Sequence, residues 1–560
     1  MKTKNMTMKK IHSVKMFVAA AAVLALGAGC ASNPCCKTVC DDAAVDHLQI
    51  GWAKRSIAKN GPVPITGQFY LRISQGQLTP VIAQALAMSN KKDAVIFVSA
   101  DMVSVNRIVL QKVHEMLKKE NPEIPVDKII LNATHTHAGP SANPIPDDYP
   151  RQVKFTPSSE MQDFIARQIT DAIKEAWEKR APGSIAYGYG FATTGHSRRT
   201  VYLEDISKQN TSAAGVAMNG RAKMYGKTNN ELFDGYESGT DAFINLFYTF
   251  DKSGKLTGAV VNVPCPAQTG ENFWMLHASF WANVREKLAA KYGDIGIIGQ
   301  SAAAGDLAPR QLHYLEAEKR RYRLKYADKI AEFMKNPGKR PGQETAAPEA
   351  VKRQREYDVL EWMRAEDIGN RIVAAFDEVL AWAEKDKMCN PVFKHEVQTV
   401  KLPRRMFPKE LVDQEKKNHE IVMQQKYVEG GDKWAQLRAN SSLRSRRGRV
   451  GGVLERYTIQ NKEPYIITDI HVVRVGNLAF ATNRFELFMD FMHRIQGRSP
   501  FEQTVIVQLV TDLNGQGKYL ATKKGIANKG YSATPYCNVV SAEGGQVLVD
   551  KTLDMLKAVR

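Results

Sequence analysis

A chain of 560 residues with 43% hydrophobic side chains can bury more than one apolar core, which excludes an intrinsically disordered protein. Its formal charge of +19 raises the question of nucleic acid, but the cations alternate with acids, as in "HYLEAEKRRYRLKYADK", and no stacking aromatics stand among them as in an RNA or DNA module. Seven cysteines, four of them within the first 40 residues, leave too few in the body for a disulfide-built scaffold.

At the N-terminus, Lys9, Lys10 and Lys15 precede the apolar run from Met16 to Leu26, which ends in Gly27-Ala28-Gly29-Cys30. A basic start, an apolar stretch too short to span comfortably and small residues at its end make an export signal over residues 1–29. The cysteine directly after the small residues resembles a bacterial lipoprotein signal, with Cys30 as the lipidated first residue, although Leu26 stands one place early. An ordinary secretory signal with an incidental cysteine is the alternative. The expected location is therefore the bacterial cell envelope, reached through a lipid anchor in the membrane, or else the medium. Residues 30–46 read as a tether, and the pairing of Cys35, Cys36 and Cys40 within it is not fixed by sequence.

In chain order, "HLQIGWAKRSI" reads as a strand, "PVIAQALAMSN" as a short helix, and the continuous apolar run "DAVIFVSADMV" as a buried strand. "SVNRIVLQKVHEMLKKEN" carries Ile108, Leu110, Val113 and Leu117 at near-helical spacing and stops at Asn121-Pro122. "DKIILNAT" is the next strand. "SSEMQDFIARQITDAIKEAWEKR" is a helix with Ile165, Ile169, Ile173 and Trp177 on one stripe. Residues 200–240 are polar and weakly periodic, as a segment covering a site would be. "AFINLFYTFDKSGKLTGAVVNVPCPAQ" is a hairpin, and the stretch from Leu312 to Lys387 turns helical. The last third returns to strands, with a hairpin about Gly476-Asn477 and a helix over "RFELFMDFMHRIQ" that starts at the strand end. The pattern implies a mixed α/β (α+β) fold with buried sheets, laid out as 47–311, an inserted helical hairpin at 312–388, and 389–560.

The chemistry-bearing stretch is "IILNATHTHAGP". In a strand successive side chains alternate, so His135 and His137 point to one side while Thr134 and Thr136 point to the other. Two imidazoles at the mouth of a buried strand can share a metal or set a base beside one.

"NATHTHAGP" resembles the signature of the neutral ceramidases, zinc amidohydrolases that cleave the N-acyl bond of ceramide, and softer matches run through "GWAKRSI", "VIFVSADMV", "GQSAAAGDLAP", "TNRFELF" and "NGQGKYLAT". The resemblance implies Zn²⁺ as cofactor, with His135, Glu486 and Tyr519 as ligands, His137 beside them to orient the reacting group, and Arg198 and Tyr531 holding the substrate amide or the oxyanion. Two positions depart from it. Where the family has a second zinc histidine, "VNVPCPAQTGEN" offers Cys265 as a replacement, which could equally be a small buried residue, with Gln268 a poorer choice and His277 reachable only by a different loop. Where the family has a serine at the active centre, Gly305-Asp306-Leu307-Ala308-Pro309 puts alanine, which can neither attack a carbonyl nor donate a hydrogen bond.

The reading is an exported, lipid-anchored zinc hydrolase of ceramidase-like fold acting on an amide (N-acyl) or related bond, with a small-molecule or lipid substrate and no nucleic-acid partner. The alternatives are an inactive ceramidase-like envelope protein that binds a lipid or glycan, and a thiol chemistry using Cys265 as nucleophile.

Overall fold

The structure is a computed structural model that describes residues 46–145, 152–210, 218–335, 341, 347–515 and 517–560. The export signal, Cys30 and the tether cysteines Cys35, Cys36 and Cys40 lie outside the described residues. Of the remaining cysteines, Cys389 is disulfide-bonded, while Cys265 and Cys537 are free thiols. No helix of the described residues is long and apolar enough to cross a membrane.

The larger sheet contains β1 (Gln49–Ser56), β2 (Ile82–Ser89), β3 (Ala94–Ala100), β4 (Ile129–Ala133), β5 (Ala181–Phe191), β6 (Phe243–Asp251), β7 (Leu256–Val263) and β8 (Gly296–Ser301), in the order β8-β7-β6-β5-β1-β2-β3-β4. β3–β4 and β7–β8 are parallel pairs and the rest are antiparallel. β1 and β5 pair only at Gln49 with Pro182 and Ile50 with Ala181. Beyond that point β8 returns against β2 and β3, where Gln84 Oε1 accepts from the Ile297 amide and Ser99 Oγ donates to the Gly299 carbonyl.

The smaller sheet is β9 (Phe393–Pro403), β10 (Tyr465–Val475), β11 (Leu478–Thr482) and β12 (Gln503–Val507), and it packs face to face on the larger. Phe480 is the hinge of that contact, its ring 4.9 Å from Phe97 and 5.6 Å from Phe247. Helices α1 (Arg107–Glu120), α2 (Ser158–Glu178), α3 (Phe280–Tyr292) and α6 (Pro348–Ala383) cover the outer face of the larger sheet. The outer face of the smaller is covered by α7 (Lys409–Gln424), α8 (Lys433–Ile459), α9 (Met489–Gln496) and α10 (Ala542–Val559). The result is a four-layer sandwich of helices, two sheets and helices. Two short helices, α4 (Leu315–Lys325) and α5 (Ala327–Lys335), lead toward α6.

Three expectations need correction. "PVIAQALAMSN" is strand β2, not a helix. Its Ala83, Ala85 and Ala87 face the helix layer and Leu86 and Met88 face the smaller sheet, a period of two that tertiary packing imposes on helix-forming residues. The last third is not mainly strands, because α7 and α8 intervene. Glu486 belongs to a two-residue strand, Glu486–Leu487, and the helix begins three residues later at Met489.

α6 lies close on β5 because that strand carries glycines: a Cβ at Gly188 would stand 2.3 Å from the Trp382 ring and 2.8 Å from Val379.

Candidate active site

Loops leaving the C-terminal ends of β4, β7, β8, β11 and β12 meet at one place, as ligand sites do in α/β sheets. The seams are backbone hydrogen bonds: Ala133 to Leu509, Ala302 to Val263, Gln508 to Ser301 and Gly305 to Leu487.

β4 ends at Ala133, so strand alternation does not place the histidines. His135 instead takes a left-handed backbone, φ 63°, a conformation that costs about 1 kcal/mol outside glycine. This bend turns both rings inward, and their Nε2 atoms lie 3.3 Å apart. His135 Nδ1–H donates to the Val103 carbonyl over 2.8 Å, leaving Nε2 with a lone pair. His137 Nδ1 lies 3.2 Å from Glu271 Oε2, bent from the N–H line, yet the carboxylate is the acceptor that this N–H faces. Its Nε2 then accepts from the Gln268 amide at 2.7 Å. Burial holds both imidazoles below their ordinary pKa, His135 well below, and each is neutral.

Glu486 Oε2 stands 3.4 Å from His135 Nε2. The strand Glu486–Leu487 pairs in parallel with Tyr519–Leu520, which sets Glu486 opposite Tyr519. Burial raises the Glu486 carboxyl to about 7, against the pull of Arg198 and a hydrogen bond from Tyr519. The Tyr519 oxygen accepts from Arg198 Nη2 at 3.1 Å, and burial followed by Glu486 keeps the phenol protonated. Arg198 is buried, with Nη2 also on the Gly305 carbonyl at 2.8 Å and Nη1 3.4 Å from Gln268 Oε1. Tyr531 places its ring edge-on to Tyr519, centroids 5.5 Å apart. Five of the residues named from sequence thus gather directly: His135, His137, Arg198, Glu486 and Tyr519, with Tyr531 against the last.

Cys265 is turned elsewhere. Its Sγ donates to the Thr194 carbonyl at 3.2 Å, it packs in the apolar core, and burial pushes its thiol far up. His277 is spent on its own loop, with Nε2–H to the Gly270 carbonyl and Nδ1 accepting from the Ser279 amide. Ala308 is buried and pairs with His196, two residues before Arg198.

Sequence reading missed Glu271, Arg310 and Tyr225. Glu271 is held at about 2, because the contact with His137 and the charge of Arg310 outweigh the effect of burial. Arg310 donates to Glu271 at 2.8 Å and to Glu361 at 3.1 Å; Arg364 joins Glu361 to Glu318, carrying the chain of charges from His137 into α6 and α4. Tyr225, from the polar segment after β5, has φ 54° and donates its amide to the Arg198 carbonyl. The only signal was the acid in "TGEN", since ion pairs between distant segments leave no local pattern.

The donors suit a metal ion in kind: the free Nε2 lone pair of His135, the Glu486 carboxyl and the Tyr519 phenol converge, an electron-rich grouping that a cation satisfies. Among the described residues no three or more His, Cys, Asp and Glu side chains are grouped as a metal sphere. A cavity of about 330 Å³ opens behind the loop that touches His137, lined by Ile65, Phe69, Tyr70, Ile145 and Ser441 among others.

Residues 72–208 match the family described as neutral/alkaline non-lysosomal ceramidase, N-terminal. The fold is similar to the crystal structure of neutral ceramidase from Pseudomonas aeruginosa, with TM-score 0.58 and 15% identity over 91% of this chain and 75% of that one. It is equally similar to a structure titled as a ceramidase complexed with C2, with TM-score 0.58 and 15% identity over 92% and 75%. A comparison with curated protein sequences finds no match. The N-terminal match over residues 72–208 and the fold shared over nine-tenths of the chain both make it similar to the neutral/alkaline non-lysosomal ceramidases.

Proposed function

We propose that the protein is a zinc-dependent hydrolase of an amide, or N-acyl, bond in a lipid-like substrate, exported and anchored at the cell envelope through Cys30. The observation that carries this is the convergence of His135 Nε2, Glu486 Oε2 and His137 Nε2 beside Tyr519 and Arg198. His135, Glu486 and Tyr519 would hold the metal, which supplies Lewis-acid polarisation of a carbonyl and acidifies water. The rest is the work of this chain's own side chains. Arg198 and Tyr531 donate toward the oxygen of the substrate carbonyl as it gains negative charge. Once the Gln268 amide swings off its Nε2, His137 takes the proton of the attacking water there and returns it to the departing amine, while Glu271 steadies the ring as it charges. No serine is needed for that sequence, in keeping with Ala308.

The test is purified protein assayed for zinc by elemental analysis and for release of fatty acid from a short-chain N-acylsphingosine and a simple N-acyl amide. The reading expects about one zinc per chain, hydrolysis of at least one amide, and loss of both in His135→Ala with the fold kept. A metal-free protein that is indifferent to His135→Ala would sink it. A second reading, a binding protein without catalysis, is favoured by the Gln268 amide already seated on His137 Nε2; it expects ligand binding that Gln268→Ala leaves without turnover.

A further inference from the structure

Beside the proposed catalytic centre stands a group of cations without acids. Tyr531 touches Tyr519 on one side and Phe69 on the other, ring centroids 5.2 Å apart. The guanidinium of Arg449, on α8, covers Phe69 at 4.3 Å from the centroid. Lys518 directly precedes Tyr519, and its side chain is exposed. Arg449 and Lys518 both act electrostatically on the buried Cys537 thiol, which in turn lies within reach of Tyr531. Two more guanidinium groups close the ring around Cys537. Arg405 donates to the Ala533 carbonyl at 2.7 Å, and Arg456 donates to the Pro535 carbonyl at 2.7 Å.

Among the described residues none of these four side chains has a carboxylate at ion-pair distance. The acid that acts on Arg456 is Glu455, the weakest of its influences, and Glu455 is exposed. Arg456 Nη1 is buried with no hydrogen-bond partner. An orphaned guanidinium nitrogen costs stability, and like charges gathered where water is partly excluded repel, unless an anion shares them. Burial has already drawn Arg405 and Arg456 down to about 10, the direction that crowded cations take when nothing neutralises them.

We propose that this cluster is the binding site for an anionic group of the substrate, so that the enzyme cleaves amides carrying a carboxylate, sulfonate or phosphate near the scissile bond in preference to neutral ones. The inference rests on the amidohydrolase reading for its chemistry, but not for its binding. Guanidinium groups match such anions in geometry, and a charge-assisted hydrogen bond is worth about a factor of ten or more.

The test compares N-lauroyltaurine with N-lauroylethanolamine, equal in acyl chain and different in charge, below their micelle-forming concentrations. The expected kcat/KM is at least about tenfold higher for the sulfonate, falling with salt and collapsing toward parity in Arg449→Met and Lys518→Met. Arg449→Lys, which keeps the charge, should retain most of the preference, and circular dichroism confirms that each variant folds. Equal rates, a preference for the neutral amide, or a preference untouched by both methionine variants overturns the proposal. So does a preference that appears only in micelles or vesicles, which would make the cluster a surface contact. Calorimetry with dodecanesulfonate, which cannot be hydrolysed, separates the two readings. Binding that weakens about tenfold in Arg449→Met, with neither amide cleaved, upholds the anion site and sinks the hydrolase; cleavage of the neutral amide without sulfonate binding does the reverse.

Discussion

The side-chain amide of Gln268 donates to Nε2 of His137 over 2.7 Å, so the loop after β7 delivers an amide, not an imidazole or a thiolate, to the centre. On the proposed zinc reading, Gln268→His should add a ligand and tighten zinc by about tenfold or more, read by competition with a chromophoric chelator. Cys265→Ser should leave the affinity within about twofold, because Sγ is turned to the Thr194 carbonyl. Loss of zinc in Cys265→Ser would show that the loop rearranges to present the thiolate.

Glu271 positions His137 and supports its charged form against burial. Glu271→Gln should lower kcat about 10²-fold with little change in KM. The acid limb of the kcat/KM profile should also move to lower pH, since His137 loses the group that holds its pKa up. A uniform loss of rate with an unmoved profile would mean that Glu271 serves only the ion network.

Gly67 has φ 111°, and a Cβ there would stand 2.5 Å from His137 Cγ. On the proposed mechanism Gly67→Ala should displace that ring and cut turnover about 10²-fold or more, while zinc, which that mechanism assigns to other residues, stays bound. Metal analysis beside the activity assay checks this; joint loss of zinc would place His137 among the ligands.

Buried histidines make the fold acid-sensitive. His277 is held at about 4 by burial, and His395 and His471, 3.0 Å apart, are likewise kept neutral. The unfolded chain binds their protons more tightly, so their contribution is complete above about pH 6.5 and drains away as pH falls toward 4. His277 alone accounts for about 3 kcal/mol over that window. Denaturant unfolding at pH 7.5 and pH 5 should show a drop of several kcal/mol, and His277→Gln should flatten the slope. A stability that is level across this range would contradict the buried, neutral state.

Where the signal was local, the sequence was readable. The apolar run of β4 leads to the histidines, α1 stops at Asn121, and the Gly476-Asn477 turn joins β10 to β11. Glu486, Tyr519 and Arg198 were named through resemblance, and the structure brings them to His135. β2 was misread because its alanines report close packing against helices, which looks like helix propensity when the partner is unseen. The turn at His135 was missed because a single left-handed residue leaves no trace in hydropathy. Glu271 and Arg310, 39 residues apart, form a pair that only the folded chain defines.

The charges running from Glu271 through Arg310, Glu361 and Arg364 to Glu318 also bear on what could be trimmed. Cutting out α4 to α6 to make a smaller enzyme would strand Arg310 and Glu271 against water at the edge of the centre, and His137 would lose its steadying acid with them. The helical segment is thus not a detachable accessory: a minimal version would need new partners for both residues before its surface was redesigned at all.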